Sequence, residues 1–125
     1  MHYLVDHYGI SVLIDSLRSK LVGIASINEA LLKHGATENF NQIFTNWTIA
    51  TLINDCSLNL KYCYLNQNLN KLKINPTLNF LPLLGNSSLS VTNITKYWSS
   101  NWQKIIGGNG NLRLGFSSLA GLNFQ

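Results

Sequence analysis

Helical hydrophobic periodicity runs through the first 55 residues and then stops. Ile10, Leu13, Ile14, Leu17 and Leu21 recur at i, i+3, i+4, i+7 and i+11, one continuous apolar stripe on a helix over 10–21. Asp15, Arg18 and Lys20 take the opposite side. Phe40, Ile43, Phe44, Trp47, Ala50 or Thr51, and Ile53 form a second stripe over 38–54. Two amphipathic helices of this kind must bury their stripes together. The stretch is therefore expected to form a small antiparallel cluster of about three helices, with Leu13, Leu17, Phe40, Phe44 and Trp47 in its core.

The punctuation agrees. Tyr3, Leu4 and Tyr8 are apolar at helical spacing and Gly9 is a plausible stop, so a short helix, truncated at its start, precedes the first long one. Ser26-Ile27-Asn28-Glu29 matches a capping box that would start a helix over 27–34, ended by Gly35. Thr37 can cap the next helix, with Glu38 in its first turn.

From Asp55 the pattern changes. Short apolar pieces (Tyr62 to Tyr64, Leu72 to Ile74, Leu78 to Leu84) alternate with Asn, Ser and Gly, and Pro76 and Pro82 argue against long helices. Lys104-Ile105-Ile106, the Gly107 to Asn111 turn and the alternating Leu112-Arg113-Leu114-Gly115-Phe116 predict a C-terminal β-hairpin. The fold class expected is α+β: a helical subdomain at 1–55, then a loop-rich and strand region at 56–125 leading to a β domain.

Charge divides at the same place. All five acids, Asp6, Asp15, Glu29, Glu38 and Asp55, fall in the first 55 residues, where Arg18, Lys20 and Lys33 leave a sum of −2. The other 70 residues hold Lys61, Lys71, Lys73, Lys96, Lys104 and Arg113 and no acid, a sum of +6. This half can attract anionic surfaces, but its cations are too scattered for a nucleic-acid site, since only Lys71 and Lys73 come close together. At 46% apolar and 11% charged the chain is too apolar for disorder, and no apolar run approaches the roughly 20 residues of a membrane span. The start, MHYLVDHYGI, does not read as an export signal. Asn fills the polar surface, and three matches to the glycosylation acceptor pattern, at Asn46, Asn86 and Asn93, carry no weight among 17 asparagines.

The inventory for catalysis is thin. His2 and His7 are five apart, about 140° around a helix, so they do not chelate from one face. His2 and Asp6 share a face, but two ligands fall short of what zinc takes; a surface pair is the simpler role, with His34 favourable at a helix C-terminus. There is no GxSxG for a nucleophilic serine and no GK[ST] after the glycine turn for a phosphate loop. Cys56 and Cys63 match neither a zinc knuckle nor a redox pair; two buried thiols and a disulfide both fit. No catalytic, cofactor-binding or metal residue is assigned.

One ordered set of residues is more specific: Tyr3-Leu4-Val5-Asp6-His7-Tyr8-Gly9, Gly23 to Leu31 with Ile27-Asn28, Gly35, Phe40, and Phe44-Thr45-Asn46-Trp47-Thr48-Ile49-Ala50. This resembles the helical segment that follows the zinc site in secreted bacterial metallopeptidase-like proteins of the gluzincin type. Tyr97-Trp98-Ser99 and Leu112 to Phe116 look like the strand pair that comes after it. The resemblance covers 3–55 and, more weakly, 93–121, and its matched residues are packing residues. In the family a HExxH helix and a downstream Glu hold zinc, and the HExxH Glu is the general base. This chain has no HExxH. The resemblance therefore implies that zinc, if the parent holds it, is bound upstream of Met1, and that Met1 is internal to a longer protein or an added start.

The function expected is a non-catalytic C-terminal helical piece of an extracellular or cell-surface metallopeptidase-like protein, a structural wall or interaction surface. Its partner would be the upstream part of the same parent, against which Tyr3, Leu4 and Tyr8 would pack. In an exported protein Cys56 and Cys63 would be bridged. The alternative is a stand-alone structural or adhesive module that self-associates through strand edges, which acid-free, Asn-rich strands invite.

Overall fold

The structure is a computed structural model in which residues 2–82 and 86–118 are described. It divides into two compact units, Met1–Ile74 and Asn75–Gln125. Leu83 and Leu84, the end of one apolar piece noted in the sequence, and 119–121, the end of the segment resembling the family's strands, lie outside the described residues.

Four helices form most of the first unit: α1 His2–Tyr8, α2 Ile10–Arg18, α3 Ile24–Lys33 and α4 Phe40–Ile53. Their starts differ from the sequence signals. α3 begins at Ile24, so Ser26 lies inside it and its hydroxyl donates back to the Gly23 carbonyl at 2.8 Å. The capping box belongs to α4 instead. Asn39 accepts from the Gln42 amide at 3.1 Å, and the Gln42 side chain accepts from the Asn39 amide at 2.9 Å. Asn-x-x-Gln satisfies the same donors as Ser-x-x-Glu and was open to sequence reasoning. The stop at Gly35 stands: at φ 73° it lets its own amide reach Leu32 O and the Ala36 amide reach Leu31 O, both at 3.0 Å, closing the end of α3.

The core comprises Tyr3, Leu4, Val12, Ala30, Leu31, Ile43, Ala50 and Tyr64, with Tyr8, Ile27, Ala36, Trp47 and Leu69 packed around it. Two expectations are corrected here. Leu17 is 78% exposed, and Phe40, Phe44 and Trp47 are only half-buried. α2 ends at Arg18, short of the expected 21; it turns Val12 and Ser16 inward and leaves Ile10, Ile14 and, beyond its end, Leu21 exposed. Small inward side chains let α2 pack closely on its neighbours, and the Ser16 hydroxyl is satisfied by Leu13 O at 2.8 Å, so its burial strands no donor. Tyr3 and Leu4, expected to face an upstream segment, are instead spent on this chain's own core.

Residues 55–74 wrap back onto the helices through two short 3-10 turns, Leu60–Tyr62 and Gln67–Leu69. Asn54, in the left-handed conformation at the end of α4, fixes their path. Its amide nitrogen donates to Leu69 O at 2.7 Å and Leu72 O at 2.9 Å, and its oxygen accepts from the Tyr64 amide at 3.0 Å.

The second unit holds β1 Thr77–Leu81 and β2 Gln103–Gly107, paired in parallel with Leu78 opposite Lys104 and Phe80 opposite Ile106. The expected hairpin is therefore not formed: Lys104 to Ile106 pairs with β1, and Leu112–Phe116 is not a strand. Gly107 explains part of this. A Cβ there would lie 2.2 Å from Leu81 O, so only glycine lets the end of β2 close on β1.

Candidate functional site

The histidines separate. His2 is exposed on α1. The His7 Nε2 lies 3.0 Å from Cys63 O, within the first unit. His34 ends α3 and meets Asp15 Oδ2 at 2.8 Å, where Lys33 also binds at 2.9 Å. The surface pair expected between His2 and Asp6 gives way to a different contact, in which Asp6 accepts from the Asn66 amide at 3.3 Å. Among the described residues no group of three His, Cys, Asp or Glu side chains is placed to hold a metal ion.

Two polar concentrations stand out. The first is a charged depression of about 420 Å3 between α2 and α3, lined by Asp15, Arg18, Ser19, Glu29 and Lys33. Lys33 first and His34 second donate to Asp15 and hold its carboxyl below the usual carboxylate range. Ser19 donates to Glu29. Ser19 is bonded to the Glu29 carboxylate and His34 to a different one, Asp15, so serine, histidine and acid are not joined in a Ser-His-Asp relay.

The second is Glu38, which sequence reasoning placed only as a first-turn acid. It lies just before α4 and accepts from three directions: Tyr8 of α1, Asn46 of α4 at 3.3 Å, and Lys61 of the 55–74 segment at 2.6 Å. Partial burial pushes its carboxyl up, but the hydrogen bonds from Lys61, Tyr8 and Asn46 outweigh that and leave it lowered. Burial, and then the bond to Glu38, pushes the Tyr8 phenol well above its usual range. Such a group carries structure: a charged acceptor with three fixed donors is poorly suited to exchange protons.

Beside it Cys56 and Cys63 are bridged, with Cα atoms 5.0 Å apart. Of the two states left open by the sequence, two buried thiols or a disulfide, this is the disulfide. Cys63 is buried, and Tyr3 donates to Lys61 O at 2.6 Å within the bridged loop. Trp47 Nε1 donates to the hydroxyl of Tyr64, the residue after the bridge, at 2.8 Å. The helices thus hold a stapled loop. No helix among the described residues is long and apolar enough to cross a membrane. Compared with protein families, curated proteins and solved structures, the chain matches none.

Proposed function

We propose that this chain is a non-catalytic module of an extracellular metallopeptidase-like protein, serving as a structural wall and interaction surface. The observation that carries the reading is the outward face of α2. Ile10, Ile14 and Leu17 form an apolar stripe on α2 that the chain's own core leaves uncovered, and Leu21 and the 86% exposed Val22, just beyond the end of α2, extend it. A helix whose apolar stripe is outside a closed core has a surface to spare for a neighbouring part of a larger protein. In this reading α2, in place of Tyr3 and Leu4, meets the upstream part of the parent. The Cys56–Cys63 bridge supports an oxidising compartment.

A second reading, a stand-alone adhesive module that self-assembles through strand edges, is favoured by one observation: among the described residues β1 and β2 have no further strand neighbour.

The test joins the coding sequence upstream of the Met1 codon to metal analysis after dialysis and a casein-type protease assay. A HExxH with a downstream Glu upstream, and neither stoichiometric zinc nor cleavage from residues 1–125 alone, is the expected result. Chelator-sensitive cleavage by these residues alone would overturn it. A separate start codon with its own promoter would favour the adhesive module.

A further inference from the structure

The second unit is short of partners. None of its described residues is buried, and its sheet has two strands, a number only marginally stable in water. Parallel sheets are ordinarily covered on both faces, yet Leu78 and Phe80 of β1 and Ile105 and Ile106 of β2 are all exposed.

The two edges of this sheet are not equivalent. The ladder is framed by Thr77 N–H donating to Trp102 O at 2.9 Å and Gly108 N–H donating to Leu81 O at 3.3 Å. Parallel pairing alternates, so residues 77, 79 and 81 turn their backbone groups toward β2, and 102, 104, 106 and 108 turn theirs toward β1. The outer edge of β1 is then made by Pro76, Leu78, Phe80 and Pro82. Both end positions lack an N–H, and prolines so placed block strand addition. The outer edge of β2 is made by Gln103, Ile105 and Gly107, which keep every donor.

The chemistry of that edge is also one-sided. The described part of the unit holds Lys96, Lys104 and Arg113 and no acid. All three ion pairs among the described residues lie in the first unit. By the register, Lys104 shares a face with Leu78, Phe80 and Ile106.

From these features we propose that the outer edge of β2 accepts an extended acidic segment of a partner protein as a third strand. Main-chain bonds to Gln103, Ile105 and Gly107 supply the attachment. On the apolar face the added strand places a carboxylate beside Lys104 and, two residues along, an apolar side chain beside Ile106. A second copy of this chain would instead bring another cationic, acid-free edge to a unit that already repels it. The inference rests on the interaction-module reading, and it does not depend on which parent the module serves.

The test uses the full chain and two short dye-labelled peptides, one repeating Glu-Thr-Val-Thr and the other Lys-Thr-Val-Thr, so that the charged residue and the valine lie two apart on one face, followed by fluorescence anisotropy at low and at physiological salt. The Glu–Val peptide is expected to bind saturably and the Lys–Val peptide not to. Ile105→Pro removes one outward N–H without removing a bond to β1, and should weaken binding about tenfold. Lys104→Glu should reverse the preference between peptides; it leaves the backbone unchanged and so guards against misfolding of the proline variant. Equal binding of both peptides, or of neither, overturns the proposal. Concentration-dependent dimers in sedimentation that Ile105→Pro abolishes would also overturn it, naming a second copy as the occupant. Zinc-dependent proteolysis by the chain would end the non-catalytic reading alone and leave the peptide result standing.

Discussion

Trp47 Nε1 on α4 donates to the Tyr64 hydroxyl at 2.8 Å, and the Tyr64 ring meets Tyr3 of α1 edge-to-face at 6.1 Å. One side chain therefore ties the last helix, the first helix and the bridged loop together. Trp47→Ala removes the ring and strands the buried Tyr64 hydroxyl, and should cost about 3 kcal/mol, at the low end for an aromatic truncation because Trp47 is only half-buried. Trp47→Phe keeps most of the packing and should cost about 1 kcal/mol. Urea denaturation read by circular dichroism measures both. Equal costs would mean that the ring's packing adds nothing beyond the hydrogen bond, which both variants lose.

The Cys56–Cys63 bridge closes a short loop, so its effect on the unfolded chain is modest. Replacing both cysteines with alanine should lower stability by about 2–3 kcal/mol. Alkylation without reductant should leave the native protein from an oxidising compartment unmodified. Two alkylated thiols there would remove the bridge from the account.

α2 offers the sharpest contrast between sequence and structure. Its stripe makes Leu17 a core residue, whereas Val12 is the buried side chain, at 1% exposure. Val12→Ala should cost about 2 kcal/mol and Leu17→Ala less than about 0.5 kcal/mol. The reverse order, measured by the same denaturation, would restore the stripe to the core.

That helix shows what could be read in advance. The existence of the helices followed from local information: periodicity at Phe40 to Ile53, and the stop at Gly35. Which face of α2 is inward did not, because it depends on the neighbours. Ile10 to Leu21 is the more apolar face, but Val12 and Ser16 are the ones that fit against the cluster. The same limit governs the strands. Leu112 to Phe116 has strand alternation, yet β2 pairs with β1, from which a long connection separates it. Nothing local to Lys104-Ile105-Ile106 names Thr77–Leu81 as its partner. At the polar sites, Glu38 was visible as an acid in a first turn, but its donors Tyr8 and Lys61 come from residues 30 before it and 23 after it.

Glu38 gives the pH dependence. Its carboxyl is held below its ordinary value of 4.5 in the folded state, so the unfolded chain takes up a proton first as pH falls. Its stabilising contribution is complete above that ordinary value and is lost as pH drops through the lowered folded value. Glu38→Gln should therefore cost about 1–2 kcal/mol at pH 7, with the gap from wild type closing as pH falls below 4.5. Denaturation midpoints across pH 3–7 decide the matter; a gap independent of pH would show that the charge of Glu38 is not what its three donors recognise.

The strand pair turns on Gly107. Its φ of 91° is one that L side chains rarely adopt, and the atom a Cβ would meet at 2.2 Å is a backbone oxygen, Leu81 O, which no side-chain rotation can move aside. Gly107→Ala must therefore shift one strand against the other or open the ladder end, at a cost of about 1–3 kcal/mol from backbone strain alone. The second unit has no buried described residue to resist this, so the effect should be confined there. Amide exchange should accelerate at Gly108, whose N–H bonds to Leu81 O, next at Leu81, the partner of Gly107 in the register, and last at Thr77, at the far end of the ladder. The amides of α3 and α4 should keep wild-type rates, because their core is built from Leu31, Ile43 and Ala50 with the rest of the first unit. Unchanged exchange at Gly108 in the alanine variant would mean that the close approach at Gly107 does not hold the strands together.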